Sequence, residues 1–217
     1  VMQALWPKGT NPRNLSAEER KKLFETATIN SPEGKKLVQF MKDHGIVLDD
    51  TAALYEMFTH PASEPLTDIE PGVAKVAPEL KAQYDGIGVP PERAAESQLM
   101  WRQDLEILRA LHQAGVTLVA GTDQAVPGYS VYREIENYVK AGFTPMEALQ
   151  AATIVPATVM KADKESGTVE VGKRADFGIL DANPLDNISN VRTVRQVVAN
   201  GILYESAPLW ESVGFKP

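Results

Sequence analysis

Up to about residue 163 the apolar positions recur mostly three and four apart, the period of a helix with one buried face. After Gly167 they come in short runs separated by turns. Ser16-Ala17-Glu18-Glu19 has capping-box spacing, a hydroxyl for the N3 amide and a carboxylate reaching back, and with Leu23 and Phe24 it predicts a helix over 16–26. Ser31-Pro32 repeats the start signal, and Leu37, Phe40 and Met41 form a stripe that stops at Gly45, so a second helix should end near His44. Ile46-Val47-Leu48 is a short apolar run of the kind that makes a fully buried parallel strand, with Asp49, Asp50 and Thr51 at its carboxyl end.

Between 59 and 91 the prolines at 61, 65, 71, 78, 90 and 91 remove amide donors and restrict their neighbours, which predicts an irregular segment resembling a lid. Leu99, Met100, Leu105, Leu108 and Leu111 then line one side of a long helix that Gly115 stops, and 116–120 reads as a second buried parallel strand feeding the tight turn Gly121-Thr122-Asp123. Helical spacing resumes over 131–141 and again from Thr144-Pro145-Met146-Glu147, which supplies an N-cap, a proline and an acidic first turn. Helix, strand, helix, strand, helix is α/β grammar. From Gly167 onward, 168–171, 177–180, 194–199 and 202–204 read as short β segments, the last two joined by Asn200-Gly201, both tolerant of positive φ. The chain should therefore divide into 1–163 and 164–217.

Composition narrows the partners. A 217-residue chain that is 43% hydrophobic and 24% charged can bury a real core. Its net charge of −7 and lack of any Lys/Arg run argue against nucleic acid. Without cysteine there is no disulfide, thiolate metal site or Cys nucleophile. No apolar stretch reaches the roughly 18 residues a membrane span needs, and the start lacks a basic segment typical of a signal peptide. The first residue is Val1, in a stretch that reads as the middle of something, so an amino-terminal truncation is expected and the compartment is unknown.

Three blocks in this order and spacing resemble the amidohydrolase superfamily, in the branch holding imidazolonepropionase and prolidase-like hydrolases: 114–123, ending in Gly121-Thr122-Asp123; 141–153, with Phe143-Thr144-Pro145-Met146-Glu147-Ala148; and 167–201, with Gly172-Lys173-Arg174-Ala175-Asp176-Phe177, Asn183-Pro184-Leu185 and Asn200-Gly201. The resemblance implies the carboxy-terminal part of a (β/α)8 barrel, with Gly45 to Thr51 as strand seven and Val116 to Asp123 as strand eight, followed by part of a small β-sandwich. About six strands would lie upstream, together with the His-x-His pair and most ligands of one or two divalent ions, most naturally zinc. The missing amino-terminal part of the same enzyme is then the partner that completes the site, and a homo-oligomer is compatible with it.

The same resemblance makes Asp123 the catalytic and metal-site carboxylate, at the strand end where barrel enzymes build their sites. It would accept the proton of a metal-activated water and pass it to the departing nitrogen or oxygen. Thr51, His60, Gln124, Tyr129 and Arg133 are candidates to line the substrate pocket, Arg133 with a geometry suited to a carboxylate, while Arg133 and Glu134 read equally as a solvated helix face. Asp50 stands where relatives often have Pro, which puts the role of Thr51 in question. Of the three histidines, His44 sits at a helix end and His112 within the long helix, so His60 alone belongs near a substrate. Asp176 and Asn183-Pro184 are structural positions. The implied activity is hydrolysis of an amide or other C–N bond in a small molecule. The alternatives are ester, lactone or phosphotriester hydrolysis, a non-catalytic assembly protein of the same fold, or one chain of a nicked or split enzyme. The segment alone should be inert.

Overall fold

The computed structural model describes residues 1–123 and 125–217. The two start signals read from the sequence are both in place. α1 (Ala17–Thr26) opens with the Ser16 hydroxyl accepting the Glu19 amide while Glu19 returns to the Ser16 amide, and α2 (Pro32–Asp43) opens with Ser31 accepting the Gly34 amide. β1 (Val47–Asp50) follows, then α3 (Ala52–Thr59), a helix the sequence pattern did not announce. Residues 60–93 are mostly irregular, with short 3-10 turns and the four-residue α4 (Pro78–Lys81). The long α5 (Ala94–Ala114) ends on Gly115 in the left-handed conformation and leads into β2 (Thr117–Ala120).

β1 and β2 pair in parallel, Val47 opposite Thr117 through Asp50 opposite Ala120. α6 (Ser130–Lys140), α7 (Pro145–Ala151) and α8 (Ile154–Val159) complete the α/β part, α7 with a second reciprocal box between Thr144 and Glu147. A separate antiparallel sheet takes β3 (Phe177–Leu180), β4 (Val194–Ala199) and β5 (Ile202–Glu205) in the order β3-β4-β5, and α9 (Ser206–Ser212) follows it. Asn200 and Gly201 turn the β4-β5 hairpin at φ of +50° and +78°. The segment 168–171, expected as β, forms no strand. Its valines face outward with no neighbouring strand to pair them, Val171 being fully exposed.

The main core joins Leu108 and Leu111 of α5, Leu118 of β2 and Tyr138 of α6 with Phe143 and Ala148, each buried leucine contributing about 1.5–3 kcal/mol. The parallel strands are less enclosed than expected, since Val47 is 36% exposed. A second cluster lies under the irregular segment, where Leu66, Val73, Val76 and Tyr84 pack on Met57 of α3 and on Ala125, Val126 and Tyr129. The proline-rich stretch therefore has its own apolar anchor.

Buried charges tie these parts together. Arg133 of α6 donates to both oxygens of Glu56 on α3 at 2.6 and 2.8 Å and to Glu136 at 3.2 Å. Arg192, from the turn before β4, pairs with both oxygens of Glu136 and both of Glu70, at 2.8 to 3.1 Å. Glu70 and Glu136 are 6% and 7% exposed, so removing the Arg192 guanidinium would leave Glu70 with no cation among the described residues and Glu136 with Arg133 alone, both in a poorly solvated place. We expect Arg192→Ala to lower the unfolding free energy by about 3–5 kcal/mol. Arg195→Ala, which breaks an exposed pair with Asp181, should cost under ~1 kcal/mol. Urea denaturation of the two variants decides this, and equal losses would contradict it.

Candidate active site

Asp123 stands three residues beyond β2, at its carboxyl end, with φ of +48°. Aspartate tolerates this left-handed backbone better than most residues, and the turn leaves its side chain exposed. The turn is held against the neighbouring strand by the Gly121 amide, which donates to the Asp50 carbonyl at 3.0 Å. The approach is so close that a Cβ on Gly121 would fall 2.7 Å from that carbonyl and overlap the Asp49 carboxylate. Only glycine lets the two strand ends meet in this way, and their meeting sets where Asp123 emerges.

Thr51 begins α3 directly after β1, so it and Asp123 leave the ends of adjacent strands. The Thr51 hydroxyl makes no cap for α3. Glu134 does so instead from α6, its two oxygens accepting the Ala52 and Ala53 amides at 3.1 and 2.7 Å. The reading of Glu134 as part of a solvated helix face is corrected by its position: it is fully buried, its spacing of four from both Ser130 and Tyr138 putting it on the buried stripe of α6. Arg133 is occupied by Glu56 and Glu136, and Tyr129 is buried beneath Trp210. Gln124 lies outside the described residues. His60 is 7% exposed and lines a separate cavity of about 210 Å³ with Glu56, Glu64, Asp68, Gln98 and Trp101, to which neither Thr51 nor Asp123 contributes. His44 closes α2, its Nδ1 2.8 Å from the Phe40 carbonyl. His112 stacks on Phe143 at 3.8 Å with Nε2 3.6 Å from Glu147.

The metal implied by the family resemblance can be tested against this donor set. A zinc site takes three or four ligands. Among the described residues no three His, Asp or Glu side chains gather to hold an ion, and the histidines lie on separate elements. Asp123 is one suitable oxygen donor without companions here, so the residues present do not make a metal site and no step through a metal follows from them.

The family model of the amidohydrolase family matches residues 17–203. The chain belongs to the amidohydrolase family. Within it, ochratoxinase of Aspergillus niger is 30% identical over 141 residues, 64% of this chain and 28% of that protein. Imidazolonepropionase of Brevibacillus brevis is 37% identical over 68 residues, 30% of this chain and 16% of that enzyme. Among solved structures, a Xaa-Pro dipeptidase with methionine bound in its active site superposes with a TM-score of 0.57 at 24% identity, over 87% of this chain and 43% of that one. The A. niger ochratoxinase structure gives 0.55 at 26% identity, over 78% of this chain and 34% of that one. This amidohydrolase chain thus spans less than half the length of these relatives. No helix among its described residues is long and apolar enough to cross a membrane.

Behind the strand ends lies a set of buried carboxyl groups. Burial, reinforced by the charge of Asp49, pushes Asp50 up to about 6. Burial and the charge of Asp50 push Asp104 of α5 up to about 8. Burial outweighs the two amide bonds at Glu134 and, with Asp50 and Asp104, raises it to about 9. Asp50 and Asp104 each bury a carboxylate oxygen with no hydrogen-bond partner among the described residues. These groups stay protonated in the fold where the unfolded chain, with carboxyls near 4, has already ionised. The folded state therefore holds more protons across this window, and stability falls as pH rises, by up to about 1.4 kcal/mol per pH unit for each group. We expect a higher midpoint of thermal unfolding at pH 5 than at pH 8, and a flatter dependence in Asp104→Asn. A midpoint that rises with pH would show that these carboxyls are ionised in the fold.

Proposed function

We propose that this chain is the carboxy-terminal part of a metal-dependent hydrolase acting on an amide or other C–N bond of a small molecule, with Asp123 as its catalytic carboxylate. β1 and β2 are then strands seven and eight of a (β/α)8 barrel, 1–163 the end of that barrel, and 164–217 a segment of the small β domain beside it. One observation carries this reading. The carboxylate exposed at the carboxyl end of β2 is held there by a glycine contact between two parallel strands, inside the span that the amidohydrolase family model matches. Strand ends of that kind are where barrel enzymes converge their reacting groups.

The chemistry follows from the carboxylate. As an attacking water forms its bond to the carbonyl carbon, Asp123 takes the water's proton and returns it to the nitrogen as the C–N bond breaks. A divalent ion at this place would lower the water's pKa, and Asp123 would be the one donor to it among this chain's described residues. The match to the amidohydrolase family supports this choice over esters or phosphotriesters. Assigning Thr51 to the pocket wall fits its place beside Asp123. His60 and Arg133 have other surroundings.

Asp123→Asn in the full-length enzyme is expected to lower kcat by about 10²–10⁴-fold while leaving the unfolding midpoint within error, because an amide cannot accept the proton. Steady-state kinetics and thermal melts check both halves. Substantial turnover in the variant would remove Asp123 from the mechanism. The 217-residue chain alone is expected to show no turnover in the same assay.

A further inference from the structure

The carboxyl-terminal tail does not stay with the sheet it leaves. α9 starts from β5, with the Ser206 hydroxyl donating to the Val194 carbonyl at 2.7 Å, and carries Trp210 across to the loop that follows Asp123. There the Trp210 ring lies nearly parallel to Tyr129, with centroids 4.7 Å apart and planes at 10°. Phe215 continues the stack at 5.7 Å and 5° from Trp210, and the Lys216 amide donates to the Lys75 carbonyl at 2.7 Å, fastening the tail to the irregular segment as well.

The fit on the loop side is tight. Gly128 passes under the indole so closely that a Cβ would come within 2.5 Å of Trp210 Cη2, and Tyr129 in turn rests on Gly72, where a Cβ would lie 2.7 Å from the Tyr129 Cβ. Val126 is 1% exposed, and its amide donates to the Ser130 hydroxyl at 2.6 Å. The Tyr129 hydroxyl is buried with no partner among the described residues, so the position of the ring rests on stacking and packing. The stretch bearing Asp123 is thus fixed at both ends. Before it, the Gly121 amide is bound to Asp50; after it, Tyr129 is stacked under Trp210, and Val126 sits in the same apolar cluster.

We propose that Trp210 is a positioning residue for Asp123, holding the loop after β2 so that the carboxylate is presented in one place. This rests on the catalytic role proposed for Asp123. The tail ties the small β domain to the mouth of the barrel part, so that domain acts on the reaction through Tyr129, without touching substrate.

Two measurements test it. In the 217-residue chain, Trp210→Ala should raise amide hydrogen exchange at Val126, Tyr129 and Ser130 by about tenfold or more, with α5 protection unchanged. Equal loss of protection in α5 would reduce Trp210 to general stability and overturn the proposal. In the full-length enzyme, Trp210→Ala should lower kcat by about 10–100-fold with KM within about twofold, and Trp210→Phe, which keeps a stacking ring, should recover most of it. If the alanine variant does not fold, Trp210→Leu takes its place, with the same readouts. Wild-type kcat in Trp210→Ala, alongside an inactive Asp123→Asn, would sink the positioning role alone. An active Asp123→Asn would instead sink the reading on which it rests.

Discussion

The architecture hangs on a run of buried charges: Glu56, Arg133, Glu136, Arg192 and Glu70. Burial alone would drive Glu56, Arg133, Glu136 and Arg192 toward their neutral forms. Mutual pairing reverses that for Glu56 and Glu136, which lie below the usual carboxylate range, and raises both arginines above theirs. Such a network adds less net stability than an apolar core of the same volume, but it tolerates only one arrangement of its members. Those members come from α3, α6, the irregular segment near Pro71 and the turn before β4. The network therefore fixes the alignment of elements that also meet in the apolar clusters. The elements around Asp123, α3 and α6 above all, inherit their positions from it.

What the sequence disclosed depended on how far apart the deciding residues stand. The reciprocal caps at Ser16 and Thr144, the stop at Gly115 and the Asn200-Gly201 hairpin each turn on side chains within about four positions of one another, and each is in the structure as expected. α3 was invisible because Thr51 makes no cap and the groups that hold the helix N-terminus belong to Glu134, 82 residues along the chain from Ala52. Arg133 looked available to a substrate because its partner Glu56 is 77 residues away. The placing of α9 turns on Trp210 meeting Tyr129, which no local pattern announces.

The family was legible for a different reason. Gly121 has to be glycine because the Asp50 carbonyl and the Asp49 carboxylate crowd it, and Asp123 then follows at a fixed offset on a turn of positive φ. A backbone constraint of this kind survives as a short motif even where the surrounding loops differ. Donors for a metal left no comparable mark. The described residues contribute Asp123 and no cluster around it, so spacing among His44, His60 and His112 carried no information about a site.

Among the described residues, β1 and β2 form a two-stranded parallel sheet in which each strand has a single neighbour. Neither strand has a second strand beside it among the described residues, and on β2 the Val119 carbonyl accepts from the Tyr138 hydroxyl at 2.7 Å; the free edge of such a sheet is spaced to accept a further parallel strand. A pair of this kind is a template: whatever extended segment arrives at either side is dictated in direction and register before its side chains are consulted. Strands supplied by the rest of a barrel would enter in one alignment, and so would a stray strand from another molecule. The geometry that lets the sheet be extended is, for the isolated chain, an invitation to aggregate.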